Sequence, residues 1–139
     1  MGAREKIGAQ VAAKKIGESG CYFLSIIHIA GADCVTALGL YWQAIDAGQM
    51  ADDCMVTKPG ELLSALTGER WAVSKQGPTY QAKPGELEIL RFELVKTGAT
   101  FAHFVVGDGR GNVAWDPWPG SLTVKNGQMA GKRIFSRIV

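Results

Sequence analysis

The chain has 139 residues, 47% of them hydrophobic and 20% charged, with a formal net charge of +2. That length supports one sizeable core, and that composition excludes a disordered or collagen-like chain. So small a charge, with no basic cluster to concentrate it, argues against nucleic acid as a partner.

Residues 3–16 read as a short amphipathic helix. Arg4, Lys6, Lys14 and Lys15 form its solvated face, and Ile7, Val11 and Ile16 point inward. Gly17 to Gly20 reads as a breaker loop in which Ser19 is placed to cap the helix that follows. From Cys21 to Ala30 every residue but Ser25 and His28 is apolar, and a helix apolar nearly all round is a buried one. Cys21 falls in its first turn, where free N–H groups and partial positive charge favour a thiolate over a thiol. Gly31 ends this helix. Asp33 caps the next, whose Val35, Leu38, Trp42 and Ile45 keep a helical spacing up to Gly48. Pro59 opens and Gly68 closes a shorter one around Leu62, Leu63 and Leu66.

Beyond Arg70 the period changes. Trp71 to Ser74 is a weak strand. Residues 86–95 alternate with a one-residue slip of phase, which places a bulge near Ile89–Leu90 or a junction of two strands there. Phe101–Val106 and Val113–Asp116 are strands joined by the turn Gly107 to Asn112. Asp116-Pro117 breaks the second, Asn126-Gly127 is a further turn, and Arg133–Val139 is a terminal strand. Helices first and antiparallel strands second define an α+β fold in a single domain, 1–139, with the buried helix laid on one face of the sheet.

Cys21, Cys34 and Cys54 are odd in number and widely spaced, which fits neither a disulfide framework nor a CxxC metal site and suits a reducing compartment. No apolar leader segment stands near the start, Lys6 replaces the Ser or Thr of a myristoylation signal, and no apolar run is long enough to span a bilayer. The expected location is the cytoplasm, or outside the cell by a route that needs no recognisable signal peptide.

A nucleophilic cysteine needs a base within hydrogen-bond reach. His28 lies seven residues after Cys21 on the same helix, about 10 Å along the axis, so it reads as a core or interface residue. His103 lies on a strand with Phe101 and Val105 on its face. If the six-residue turn closes symmetrically, Val106 pairs with Val113 and His103 stands directly opposite Asp116, close enough for the carboxylate to accept from the ring. The carboxylate would then fix the tautomer and stabilise the imidazolium. The competing reading has Cys21 merely buried, His103 satisfied within the sheet and Asp116 opening a proline turn. The Gly107–Gly111 run lacks the lysine of a phosphate loop, and Asp108 with Asn112 lacks the remaining ligands of a calcium loop. Asp33, Asp52 and Asp53 with Cys34 and Cys54 lack zinc spacing. Neither a metal nor a cofactor is expected.

Gly20-Cys21-Tyr22-Phe23-Leu24-Ser25-Ile26, with His103-Phe104-Val105-Val106-Gly107 and Trp115-Asp116-Pro117, resembles the papain-like cysteine peptidases of compact bacterial type. It is closest in style to the bacteriocin-processing double-glycine peptidases and to related bacterial and phage domains. The likeness in order and spacing runs from about residue 10 to the end. It implies a papain-like fold and an amide hydrolase with Cys21 as nucleophile, His103 as base and Asp116 orienting it. The substrate implied is a peptide, with a processing site, a peptidoglycan-type stem peptide or an isopeptide all fitting. The Cys-Gly-Ser-Cys-Trp signature of true papains is absent. The glutamine those families place about six residues before the cysteine is Lys15 here, so Gln10, eleven residues upstream, is the candidate oxyanion donor if a longer loop carries it. Trp118 returns to the Asp116 face if the strand survives Pro117, and there lines a substrate cleft or covers the core. The alternatives are a catalytically silent papain-like binding module and a structural subunit of a phage or mobile-element assembly.

Overall fold

Gly20 sets the geometry of the N-terminal half. In the computed structural model, which describes residues 2–139, two helices meet at this one residue: α2 (Ala9–Ser19) and α3 (Cys21–Ile29). Ser19 is therefore the last residue of α2 and does not cap α3, and the expected four-residue loop shrinks to Gly20 alone. A side chain at Gly20 would fall far inside van der Waals distance of the Ile16 carbonyl oxygen, which itself accepts the Gly20 N–H at 2.9 Å. Only glycine permits so tight a junction.

The first expected helix is divided too. α1 (Ala3–Lys6) stops at Ile7, which is extended, and α2 begins after Gly8. Tertiary bonds accompany the break: Trp42 Nε1 donates to the Ile7 carbonyl at 2.8 Å, and Asp46 accepts from the Ala3 N–H at 2.8 Å. Ala12 and Ile16 are buried, one turn apart, whereas Val11, expected inside, is 51% exposed. Phe23, Ile26 and Ile27 of α3 are fully buried and His28 is exposed. At the end of α3, Gly31 (φ +76°) donates to His28 and Ala32 to Ile27, a Schellman cap.

Asp33 caps as expected, accepting from Val35 N at 2.9 Å, but it starts a 3₁₀ turn (Cys34–Thr36) that then widens into α4 (Ala37–Asp46). The turn advances about 120° per residue against 100° in an α-helix, so the phase of Val35 is not carried forward. Val35 is exposed, and the buried stripe of α4 is Ala37, Tyr41 and Ala44, flanked by half-buried Leu38, Trp42 and Ile45. α5 (Pro59–Thr67) follows its sequence signals: Pro59 at the start, Leu62 and Leu63 buried, Gly68 at φ +75° as stop. α3 packs on α2 and α5, and α2 packs on α4.

Within the 139 residues the chain divides into two compact units, Met1–Arg70 and Trp71–Val139. The second is a five-stranded antiparallel sheet: β1 (Trp71–Gln76), β2 (Leu87–Lys96), β3 (Ala99–Gly107), β4 (Val113–Trp115) and β5 (Gln128–Arg137). Its order is β1-β5-β2-β3-β4, so the last strand enters between the first two. The fold is thus α+β. Ile89, Leu90, Val105, Ile134 and Phe135 are fully buried.

Three local expectations change. The bulge lies between Arg91 and Phe92 in the β2–β5 ladder, where Arg91 faces Gly131 and Phe92 faces Met129. The extra residue is therefore Ala130 of β5, and β2 itself is continuous. A short helix, α6 (Leu122–Asn126), precedes Gly127, which the sequence marked only as a turn; five residues are too few to show a period. The β3–β4 hairpin is not symmetric: Gly107 faces Val113 and Val106 faces Trp115, with a bulge between them. His103 is therefore not directly opposite Asp116. Continued past Trp115, this register would set Asp116 against Val105 and Trp118 against His103. The displacement is two residues, and an even shift keeps Asp116 on the same face as His103.

Candidate active site

In the sheet unit, β3 carries His103 inward at 2% exposure, and its Nε2 lies 2.7 Å from Asp116 Oδ1. A carboxylate only accepts, so Nε2 carries a proton, and in the neutral ring Nδ1 holds the lone pair. Nδ1 is buried and makes no hydrogen bond among the described residues. The same Asp116 oxygen accepts the Trp118 N–H at 2.8 Å, closing a tight turn over Pro117. That turn brings the Trp118 indole onto the imidazole, centroids 5.0 Å apart and planes inclined by 13°. The result is an oriented imidazole, one face covered by indole, with its unprotonated nitrogen unclaimed. Such a group can take a proton, and Asp116 would stabilise the cation that forms.

In the helical unit Cys21 is the first residue of α3, a cysteine in no disulfide at 7% exposure. The other two thiols are set against ionisation. Burial, then the charge of Asp33, pushes Cys34 above its ordinary value of 9.0. Burial, then Asp53, pushes Cys54 up to about 11, although Lys15 pulls the other way. Gln10 is exposed in the first turn of α2. Residues 9–19 are helix and not loop, which holds Gln10 about 13 Å along the axis before Ser19. The loop that would carry Gln10 to Cys21 does not exist. So His103, Asp116 and Trp118 come together, Gln10 stands apart, and Cys21 belongs to the other unit.

Two residues without a role in the sequence reading stand behind the hairpin. Glu88 and Lys132, both almost fully buried, form an ion pair at 2.8 Å. Any signal was weak: Glu88 keeps the alternation with Leu87 and Ile89 and so reads as a solvated residue, and only its place on the strand face of Leu90 and Phe92 hints at a buried charge that needs a partner. Its partner lies 44 positions away, on a strand whose pairing the sequence did not reveal. Among the described residues no group of three or more His, Cys, Asp or Glu side chains could hold a metal ion, and no helix is long and apolar enough to cross a membrane.

Fold and site together define an α+β protein with a carboxylate-oriented histidine under a stacked tryptophan. The chain belongs to the family described as "Protein of unknown function, DUF261", whose family model matches residues 5–137. No curated protein and no solved structure gave a significant match.

Proposed function

We propose that this protein is a papain-like cysteine hydrolase that cleaves an amide bond in a peptide or a peptidoglycan-type stem peptide. The Cys21 sulfur attacks the scissile carbonyl carbon while its proton passes to Nδ1 of His103. His103 then protonates the leaving amine, a thioester remains on Cys21, and water activated by the same imidazole releases the acid. Asp116 is a positioning residue: it holds Nε2–H and so keeps Nδ1 available. Trp118 shields that hydrogen bond from water, which strengthens it. The Cys21 backbone N–H is one oxyanion donor. The observation that carries this reading is the buried Nδ1 without a hydrogen bond, opposite a nitrogen already bound to Asp116.

Alkylation by iodoacetamide at neutral pH tests it. Cys21 is expected to react at least tenfold faster than Cys34 or Cys54, since a tenfold ratio corresponds to about 1.4 kcal/mol of activation. His103→Ala is expected to remove that advantage while the far-ultraviolet circular dichroism stays native. Equal labelling of the three thiols would end the hydrolase reading. One observation favours the rival, a catalytically silent papain-like binding module: Gln10 is held away from Cys21, so the second oxyanion donor is not supplied by that residue.

A further inference from the structure

We infer that Glu88 is a positioning residue: through the β3–β4 turn it sets the register that brings Asp116 to His103. β4 is three residues long and makes two ladder pairs with β3, one on each side of a bulge. So short a ladder does not fix its own register. The turn that feeds it is fixed instead from beneath. One Glu88 oxygen, Oε2, accepts from Gly109 N at 2.9 Å and from Gly111 N at 3.1 Å. Both glycines have positive φ (+89° and +84°), the conformation that aims their N–H groups at that single oxygen. Gly107 is where the strand crosses the Glu88 side chain, and a Cβ there would overlap the carboxylate. The upper side of the turn is tied by Asp108, which accepts from Arg110 N at 2.8 Å and Asn112 N at 3.2 Å.

The other Glu88 oxygen faces Lys132 Nζ, which also donates to the Tyr80 carbonyl at 2.6 Å. A buried ion pair adds little net stability over apolar side chains of the same size, and its best-attested use is to fix register. Here the register decides chemistry. A slip of one residue would turn Asp116 to the other face of the sheet and leave His103 without its acceptor.

The inference bears on the proposed site, but its primary readout does not depend on hydrolysis. The full chain is labelled with ¹⁵N, and the proton on His103 Nε2 is followed as a downfield, slowly exchanging ring resonance assigned by its loss in His103→Ala. Glu88→Asp keeps the charge facing Lys132 but withdraws the carboxylate by about 1.5 Å from the turn amides. Glu88→Gln keeps the length and weakens the acceptor. Both are expected to broaden or lose the resonance. Phe135→Leu, which loosens the face of the sheet opposite Glu88, where Phe135 pairs with Leu87, is expected to lower the melting temperature and keep it. If hydrolysis is found, Glu88→Asp is expected to lower kcat by about 100-fold with KM unchanged, the effect of a misplaced catalytic group. A folded Glu88→Asp or Glu88→Gln protein with the native resonance overturns the inference. So does failure of both to fold, which would make Glu88 a stability residue only. A wild-type protein that shows the resonance but no hydrolysis leaves the clamp standing and removes the hydrolase reading instead.

Discussion

At Gly20 the absence of one methyl group lets α2 run to within a single residue of α3. Gly20→Ala would press a Cβ against the Ile16 carbonyl, a backbone atom that cannot rotate away. Overpacking of this kind costs about 1–3 kcal/mol, so thermal unfolding of Gly20→Ala should begin several degrees below wild type. Trp118 is the corresponding residue in the sheet unit. It meets the site twice, once by its indole on the His103 ring and once by its N–H on Asp116. Trp118→Ala keeps the second contact, which is backbone, and loses the first. The expected result is faster solvent exchange of the His103 Nε2 proton with the Asp116 bond still formed. An unchanged exchange rate would show that the indole shields nothing. The sequence put Trp118 on the face of Asp116 only if the strand ran on through Pro117; β4 ends at Trp115 instead, and the indole reaches the His103 ring through a turn over Pro117 that strand alternation could not foresee.

Among the elements, glycines give opposite predictions according to their backbone. Gly31 closes α3 at φ +76°, a left-handed conformation that costs an L-residue about 1–2 kcal/mol. Gly31→Ala should destabilise by that amount although nothing crowds the site. Gly39 sits on the exposed side of α4 with ordinary helical backbone and open space around it. Gly39→Ala should therefore stabilise by about 0.5–1 kcal/mol, through entropy and helix propensity. Paired denaturant titrations of the two variants check both signs. Caps and stops of this type are local, and residues such as Asp33, Gly48, Pro59 and Gly68 were legible for that reason. Val11 was misread because it lies just off a buried stripe whose phase the neighbouring helix sets, and Val35 because the 3₁₀ turn that holds it breaks the helical phase. The α6 helix was missed because five residues carry no period.

On the scale of the whole molecule, alkaline pH discriminates between groups by burial. Cys54 is 3% exposed and Tyr41 fully buried, its hydroxyl donating to the Asp52 carbonyl at 2.6 Å. Burial raises Cys54 from 9.0 to about 11 and Tyr41 from 10.0 to about 12. The unfolded chain therefore loses these protons first, and stability falls with pH above about 9, through the Cys54 window first and then through that of Tyr41. For Cys54 the loss between about pH 9 and 11 is on the order of 2–3 kcal/mol. Melting curves across that range should fall for wild type and fall less for Cys54→Ala. A Cys54→Ala protein with the same alkaline slope would remove the thiol from the account.

The order of the chain was enough to determine the class of fold, the buried α3 with Cys21 at its start, and the hairpin that carries His103 and Asp116. Those features follow from hydrophobic period and turn chemistry, which act over a few residues. Tertiary structure alone decided the insertion of β5 between β1 and β2, the two-residue displacement of β4, and the burial of Glu88 against Lys132. Each depends on groups far apart in the chain, and their energies exist only once the sheet has closed. The displacement happened to be even. Side chains alternate with a period of two, so Asp116 stayed on the side where His103 could use it.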